Sequence, residues 1–80
     1  MDAFDYAAGA GLFLPLRVGR SAPISFRRFE TSAAAIKFAV EELTPVMFRG
    51  AILETGDDRF GSAQIRMLYD DAAFPLERRG

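Results

Sequence analysis

Leu12, Leu14, Leu16 and Val18 alternate with Phe13, Pro15 and Arg17, the two-residue period of a strand with one buried face. Pro15 has no N–H to give to a ladder, so this strand is expected at a sheet edge. Turn residues from Gly19 to Pro23 separate it from a β-branched and aromatic run, Ile24 to Phe29, in which Ile24 and Phe26 share a face. The two runs predict a hairpin. The period then lengthens: Ala33, Ile36, Val40 and Leu43 step by three, four and three, and Ala39 widens the stripe, which predicts a helix from about Ser32 to Leu43. Thr31 or Ser32 can accept a bond from a first-turn amide, and Pro45 ends the helix.

A third strand is predicted from about Met47 to Glu54, with Met47, Ala51 and Leu53 facing one way and Phe48, Gly50 and Ile52 the other. Apolar residues on both sides place it centrally. Gly56, Asp57 and Asp58 read as a polar turn, after which Ser62 caps a shorter helix carrying Ile65, Leu68, Tyr69 and Ala72 on one side. Asp70 and Asp71 oppose the macrodipole and stop that helix. Residues 1–11 show no period and are read as a flexible arm with Phe4 and Tyr6 as aromatic anchors. Residues 12–74 form a single domain, and 75–80 a loosely docked tail. The architecture this predicts is α+β: a small three-stranded mixed sheet with two helices, in the order β-β-α-β-α.

Composition narrows the chemistry. The chain has 80 residues, half of them apolar, and neither Cys nor His. A domain of this size buries only about 60–65% of the surface its unfolded chain exposes, so its stability margin is thin. Without thiols or imidazoles there is no disulfide, thiolate metal site, Ser-His pair or His base. The carboxylate pairs Asp57/Asp58 and Asp70/Asp71 remain, but each is adjacent in sequence and reads as solvated surface. Neither a calcium loop nor a phosphate loop is present. A non-enzymatic protein with no cofactor, no metal and no small-molecule substrate is expected. The longest apolar stretch, Ala7 to Leu16, is too short to span a membrane and contains Pro15. Asp2 and Asp5 stand where a secretory signal would carry Lys or Arg, so a cytoplasmic location without a membrane partner is expected.

Charge is informative by position. Tyr6 to Phe29 contains no acid, while Arg17, Arg20, Arg27 and Arg28 make it basic; from Glu30 to Asp58, six acids oppose Lys37 and Arg49. A basic hairpin with Phe13, Phe26 and Phe29 among its arginines can hold phosphates and stack bases, which makes weak RNA or single-stranded DNA binding through Arg17, Arg20, Arg27 and Arg28 the alternative function. The net charge of −1 favours instead arginines that pair with helix acids or guard a sheet edge. Phe38 is out of phase with the predicted stripe. Either Ala34, Ala35 and Phe38 form a second contact strip, or the N-terminal aromatics or Phe74 fold back over Phe38. Met67 raises the same question on the second helix.

The segments Arg28-Phe29-Glu30-Thr31, Glu41-Glu42-Leu43, Arg59-Phe60, Ile65-Arg66 and Leu68-Tyr69-Asp70 lie between Arg28 and Leu76. Over this stretch, about the last two-thirds of the chain, the sequence resembles short uncharacterised proteins of α-proteobacterial genomes. The resemblance implies a bacterial cytoplasmic protein and carries no activity. The leading expectation from the residues is a small protein-interaction module or accessory subunit, a homodimer or a partner of another protein, with Ala34, Ala35 and Phe38 as its contacts.

Overall fold

In the computed structural model, which describes residues 4–15 and 24–78, the predicted hairpin is present as β1 (Ala10–Pro15) and β2 (Ile24–Phe29). They pair antiparallel, with Ala10 opposite Phe29 and Phe13 opposite Phe26. The sheet continues through β3 (Ile52–Thr55) and β4 (Asp58–Phe60) in the order β2-β1-β3-β4, and every pairing is antiparallel. Among the described residues three helices accompany it: α1 (Ser32–Glu42), α2 (Pro45–Arg49) and α3 (Ser62–Asp70). The α+β class stands, but the predicted three-stranded mixed sheet with two helices is corrected to four antiparallel strands with three helices.

Both additional elements have local causes. Pro45 ends α1 as predicted, yet it also occupies the first turn of α2, where its missing N–H is not needed. The Thr44 hydroxyl accepts from the Met47 amide at 3.2 Å, so the chain coils through Met47 and Phe48 before β3 begins at Ile52. The predicted turn at Gly56-Asp57 is the two-residue loop of a hairpin, with Thr55 opposite Asp58. Gly56 has φ +60 and among the described residues no non-glycine has positive φ, the sign pattern of a loop that matches strand twist. Gly56→Ala is therefore expected to cost about 1–2 kcal/mol, lowering the thermal midpoint by roughly 5–15 °C. An unchanged melting curve would contradict this account of the turn.

β1 is central, not an edge. Its contact with β3 covers only Gly11 to Phe13, so Pro15 lies beyond the end of β3 and its missing donor breaks no bond to that strand. β3 is central as predicted but is not buried on both sides: Leu53 is fully buried, whereas Ile52 is 36% exposed.

All the helical cover lies on one face of the sheet. Ala10, Leu12 and Leu14 of β1 and Leu53 of β3 point into a core shared with Ala33, Ala35, Ile36 and Ala39 of α1 and Ile65 and Tyr69 of α3. α1 lies against β1, β2 and β3, and α3 packs beside α1 and β4. The buried residues of α1 are Ser32, Ala33, Ala35, Ile36 and Ala39: Ala33, Ile36 and Ala39 of the predicted stripe are buried, Ser32 and Ala35 join them, and Val40 and Leu43 are only half-buried. Small side chains let the helix approach the sheet closely, which favours the alanine side over the bulkier one.

The N-terminal segment completes the first turn of α1. Thr31 is the N-cap, its hydroxyl accepting from the Ala34 amide at 3.1 Å. The Ser32 and Ala33 amides donate to the carbonyls of Ala8 and Tyr6, so donors that a helix start leaves open are used by the preceding chain. Fully buried Ser32 also donates its hydroxyl to Ala8 O at 2.7 Å, while the Thr55 hydroxyl donates to Gly9 O at 3.0 Å. Gly61, not Ser62, holds the N-cap position of α3, and its amide donates to the Gln64 side chain. α3 ends at Asp70, as the two adjacent acids predicted.

The C-terminal segment is docked more firmly than predicted. Phe74 is buried against Tyr69 and Tyr6, with ring centroids 5.2 and 5.8 Å away. Arg78 reaches back to donate to Tyr69 O at 2.6 Å and lies over the Tyr69 and Phe74 rings. A cation at a helix C-terminus satisfies carbonyls that have no partner within the helix.

Candidate functional site

Alternation along the strands decides which side chains lie opposite the helices. Those on the uncovered face are Phe13 of β1, Phe26 and Arg28 of β2, Ile52 and Glu54 of β3, and Arg59 of β4. Register sorts them into two levels. Phe26, Phe13 and Ile52 stand side by side across three strands; Arg28, Gly11, Glu54 and Arg59 occupy the next level. Phe26 is 51% exposed, and its ring lies 4.8 Å, centroid to centroid, from the half-buried Phe13.

Gly11 shapes this face. A Cβ there would stand 2.4 Å from the Phe26 ring, so the ring lies diagonally over the glycine backbone. On the charged level, the Arg28 guanidinium passes beside Gly9, where a Cβ would stand 3.2 Å from it. Arg59 donates to Glu54 Oε2 at 3.0 Å. Among the described residues Arg28 has no acidic partner within ion-pair distance.

None of the three residues of the contact strip predicted on α1 is fully exposed. Ala35 is fully buried in the core and Ala34 half-buried. Phe38 is half-buried beneath β2: its ring centroid is 5.5 Å from that of Phe29, and the Arg27 guanidinium covers it at 4.7 Å. Neither Phe74 nor the N-terminal aromatics supply the cover. Sequence reasoning could not find it because the contact depends on how far α1 is rotated over the sheet. Met67, by contrast, is 70% exposed on α3.

Of the arginines proposed for nucleic acid, Arg17 and Arg20 lie outside the described residues. Of the two that are described, Arg27 sits on the helix side of β2 over Phe29 and Phe38, and Arg28 reaches the open face. The predicted pairing of hairpin arginines with α1 acids is replaced, for Arg27, by stacking on these rings. Glu41 of α1 instead receives Lys37 and the Tyr69 hydroxyl.

Elsewhere, an open concavity of about 510 Å³ lies between the N-terminal segment and the β3–β4 turn. Phe4, Phe60 and Leu68 line it, with Asp5 and Asp58 at its rim. Asp5 accepts from the Ala7 amide at 3.0 Å. The Tyr6 phenol donates to Leu68 O at 2.9 Å; burial raises its pKa above the ordinary 10.0, the charge of Asp71 adds to the rise and Arg78 opposes it. Asp70 pairs with Arg66 at 3.1 Å, and Asp71 accepts from the Ala73 amide at 2.8 Å. Among the described residues no three acidic or other ligating side chains gather where a metal ion could sit, and no helix is long and apolar enough to cross a membrane. The chain matches no protein-family model, no curated protein and no solved structure.

Proposed function

We propose that this chain is a protein-interaction module, non-enzymatic in its own right, whose working surface is the uncovered face of the sheet. One observation carries the reading: Phe26 at 51% and Ile52 at 36% exposure flank Phe13 in a continuous apolar row, edged by charges, on the side without helices. An antiparallel sheet with a solvated outer face normally alternates to polar residues there. Large apolar side chains held in water give up hydration cost only when another surface covers them, and such rows mark contact sites. The contact surface thus moves from the outer strip of α1 to the sheet, because Ala35 and Phe38 are already engaged inside the fold.

The alternative of nucleic-acid binding has less support. Stacking surfaces are present in Phe13 and Phe26, but phosphates need free cations beside them. On this face Arg59 is already committed to Glu54, which among the described residues leaves Arg28.

Site-specific photo-crosslinking in the cells that produce the protein tests the reading. A photoreactive residue at position 26 should yield discrete protein adducts, whereas the same residue at position 67, more exposed on α3, should yield none. Absence of adducts at 26, equal labelling at both positions, or adducts at 26 made of nucleic acid would refute it.

A further inference from the structure

We infer that the open face takes a second copy of this chain, packed sheet against sheet about a two-fold axis that lies in the interface and runs along β1. This rests on the reading of the face as a protein-contact surface and specifies its occupant. Rotation about such an axis exchanges the two sides of β1, so β2 of each copy meets β3 of the other at the same level. On the apolar level Phe26 then lies over the partner's Ile52, and the two Phe13 rings meet at the axis. On the charged level Arg28 lies over the partner's Glu54, twice by symmetry.

In this arrangement the face is complementary to itself at both levels. An in-plane axis across the strands at the charged level would set Arg28 on Arg28 and Glu54 on Glu54, apposing like charges. An axis across the strands between the two levels would set Phe26 on Arg28. The charge state of the face agrees with the strand-parallel arrangement. Arg28 lacks an acidic partner among the described residues, and Arg59 occupies one Glu54 oxygen, leaving the other to accept.

The contact is small. Three strands about 4.8 Å apart and roughly 20 Å long give a footprint well under a standard interface, so dissociation in the micromolar range is expected. Aligned sheets pack with strands crossing at about 30°, which keeps the two levels in register near the axis.

The test is a charge exchange read by sedimentation equilibrium from about 10 to about 500 µM. The parent mass should rise from 8.8 kDa towards twice that value. Arg28→Glu alone and Glu54→Lys alone each place like charges in both pairs and should weaken association by at least about tenfold. An equimolar mixture of these two variants should recover it, because in the mixed dimer Glu at 28 meets Lys at 54 and the other pair is native. Both positions are solvent-accessible, and far-ultraviolet circular dichroism checks that the fold is kept. A parent that stays at 8.8 kDa throughout, or a mixture no stronger than its components, overturns the proposal. These outcomes separate the two readings: crosslinks from position 26 to a different protein, with a monomeric parent, remove the second copy and leave the contact face standing.

Discussion

Leu53→Ala is expected to destabilise the protein by about 3–4 kcal/mol, while Ile52→Ala, one residue away in the same strand, is expected to cost about 1 kcal/mol or less. Leu53 is fully buried on the helix side of the sheet, opposite Leu12 on β1 and Phe60 on β4. Its truncation loses the transfer free energy of the missing carbons and leaves a cavity that a sheet fixed on both sides cannot close. Ile52 faces outward, so its removal takes little from the core. A domain of this length has a total stability of only about 4–12 kcal/mol, so the first change consumes a large share of it. Urea denaturation gives the comparison directly: with a slope of about 1 kcal/mol per molar, the midpoints of the two variants should differ by roughly 2–3 M. Equal shifts would mean that the sheet does not have one covered and one open face, and the proposed contact surface would fall with that result.

Glu41→Ala should be the second most damaging change, at about 2–3 kcal/mol. The Glu41 side chain is 4% exposed and its carboxylate receives the Lys37 ammonium at 2.9 and 3.1 Å and the Tyr69 hydroxyl at 2.5 Å. Removing the acceptor leaves a hydroxyl on the buried Tyr69 without this partner and separates Lys37 from its counter-charge. A fully buried pair broken in this way costs about 3–5 kcal/mol, but Lys37 is 35% exposed and water recovers part of the loss. Lys37 also donates to the Glu77 carbonyl, so the damage should extend to the C-terminal segment. Amide hydrogen exchange across residues 74–78 should quicken in Glu41→Ala and change little in Ile52→Ala. A loss below about 0.5 kcal/mol would show that the cluster contributes little to stability.

Some of what was missed was written locally. Thr44-Pro45 carries both the cap and the first-turn proline of a new helix, and Gly56-Asp57 between two short runs is a two-residue hairpin signal. Reading the first only as a stop and the second only as a turn replaced a helical turn by strand and removed β4. The partial burial of the predicted α1 strip has another cause. A helical wheel gives relative angles between side chains, but the absolute rotation of the helix is decided by whatever packs beneath it. Here five small or compact residues, Ser32, Ala33, Ala35, Ile36 and Ala39, were buried, and Phe38 went under Arg27 and Phe29.

The sequence by itself determined the α+β class, the β1–β2 hairpin, α1 with its cap, and the absence of thiol and imidazole chemistry, because each depends on neighbours within a few residues or on composition alone. Only the tertiary structure decided which side of the sheet the helices leave open. Phe13, Phe26 and Ile52 are 13 and 26 residues apart along the chain, and it is antiparallel register across three strands that sets them in one row. Periodicity says that a residue alternates with its neighbours; pairing and helix placement say which of the two faces meets water.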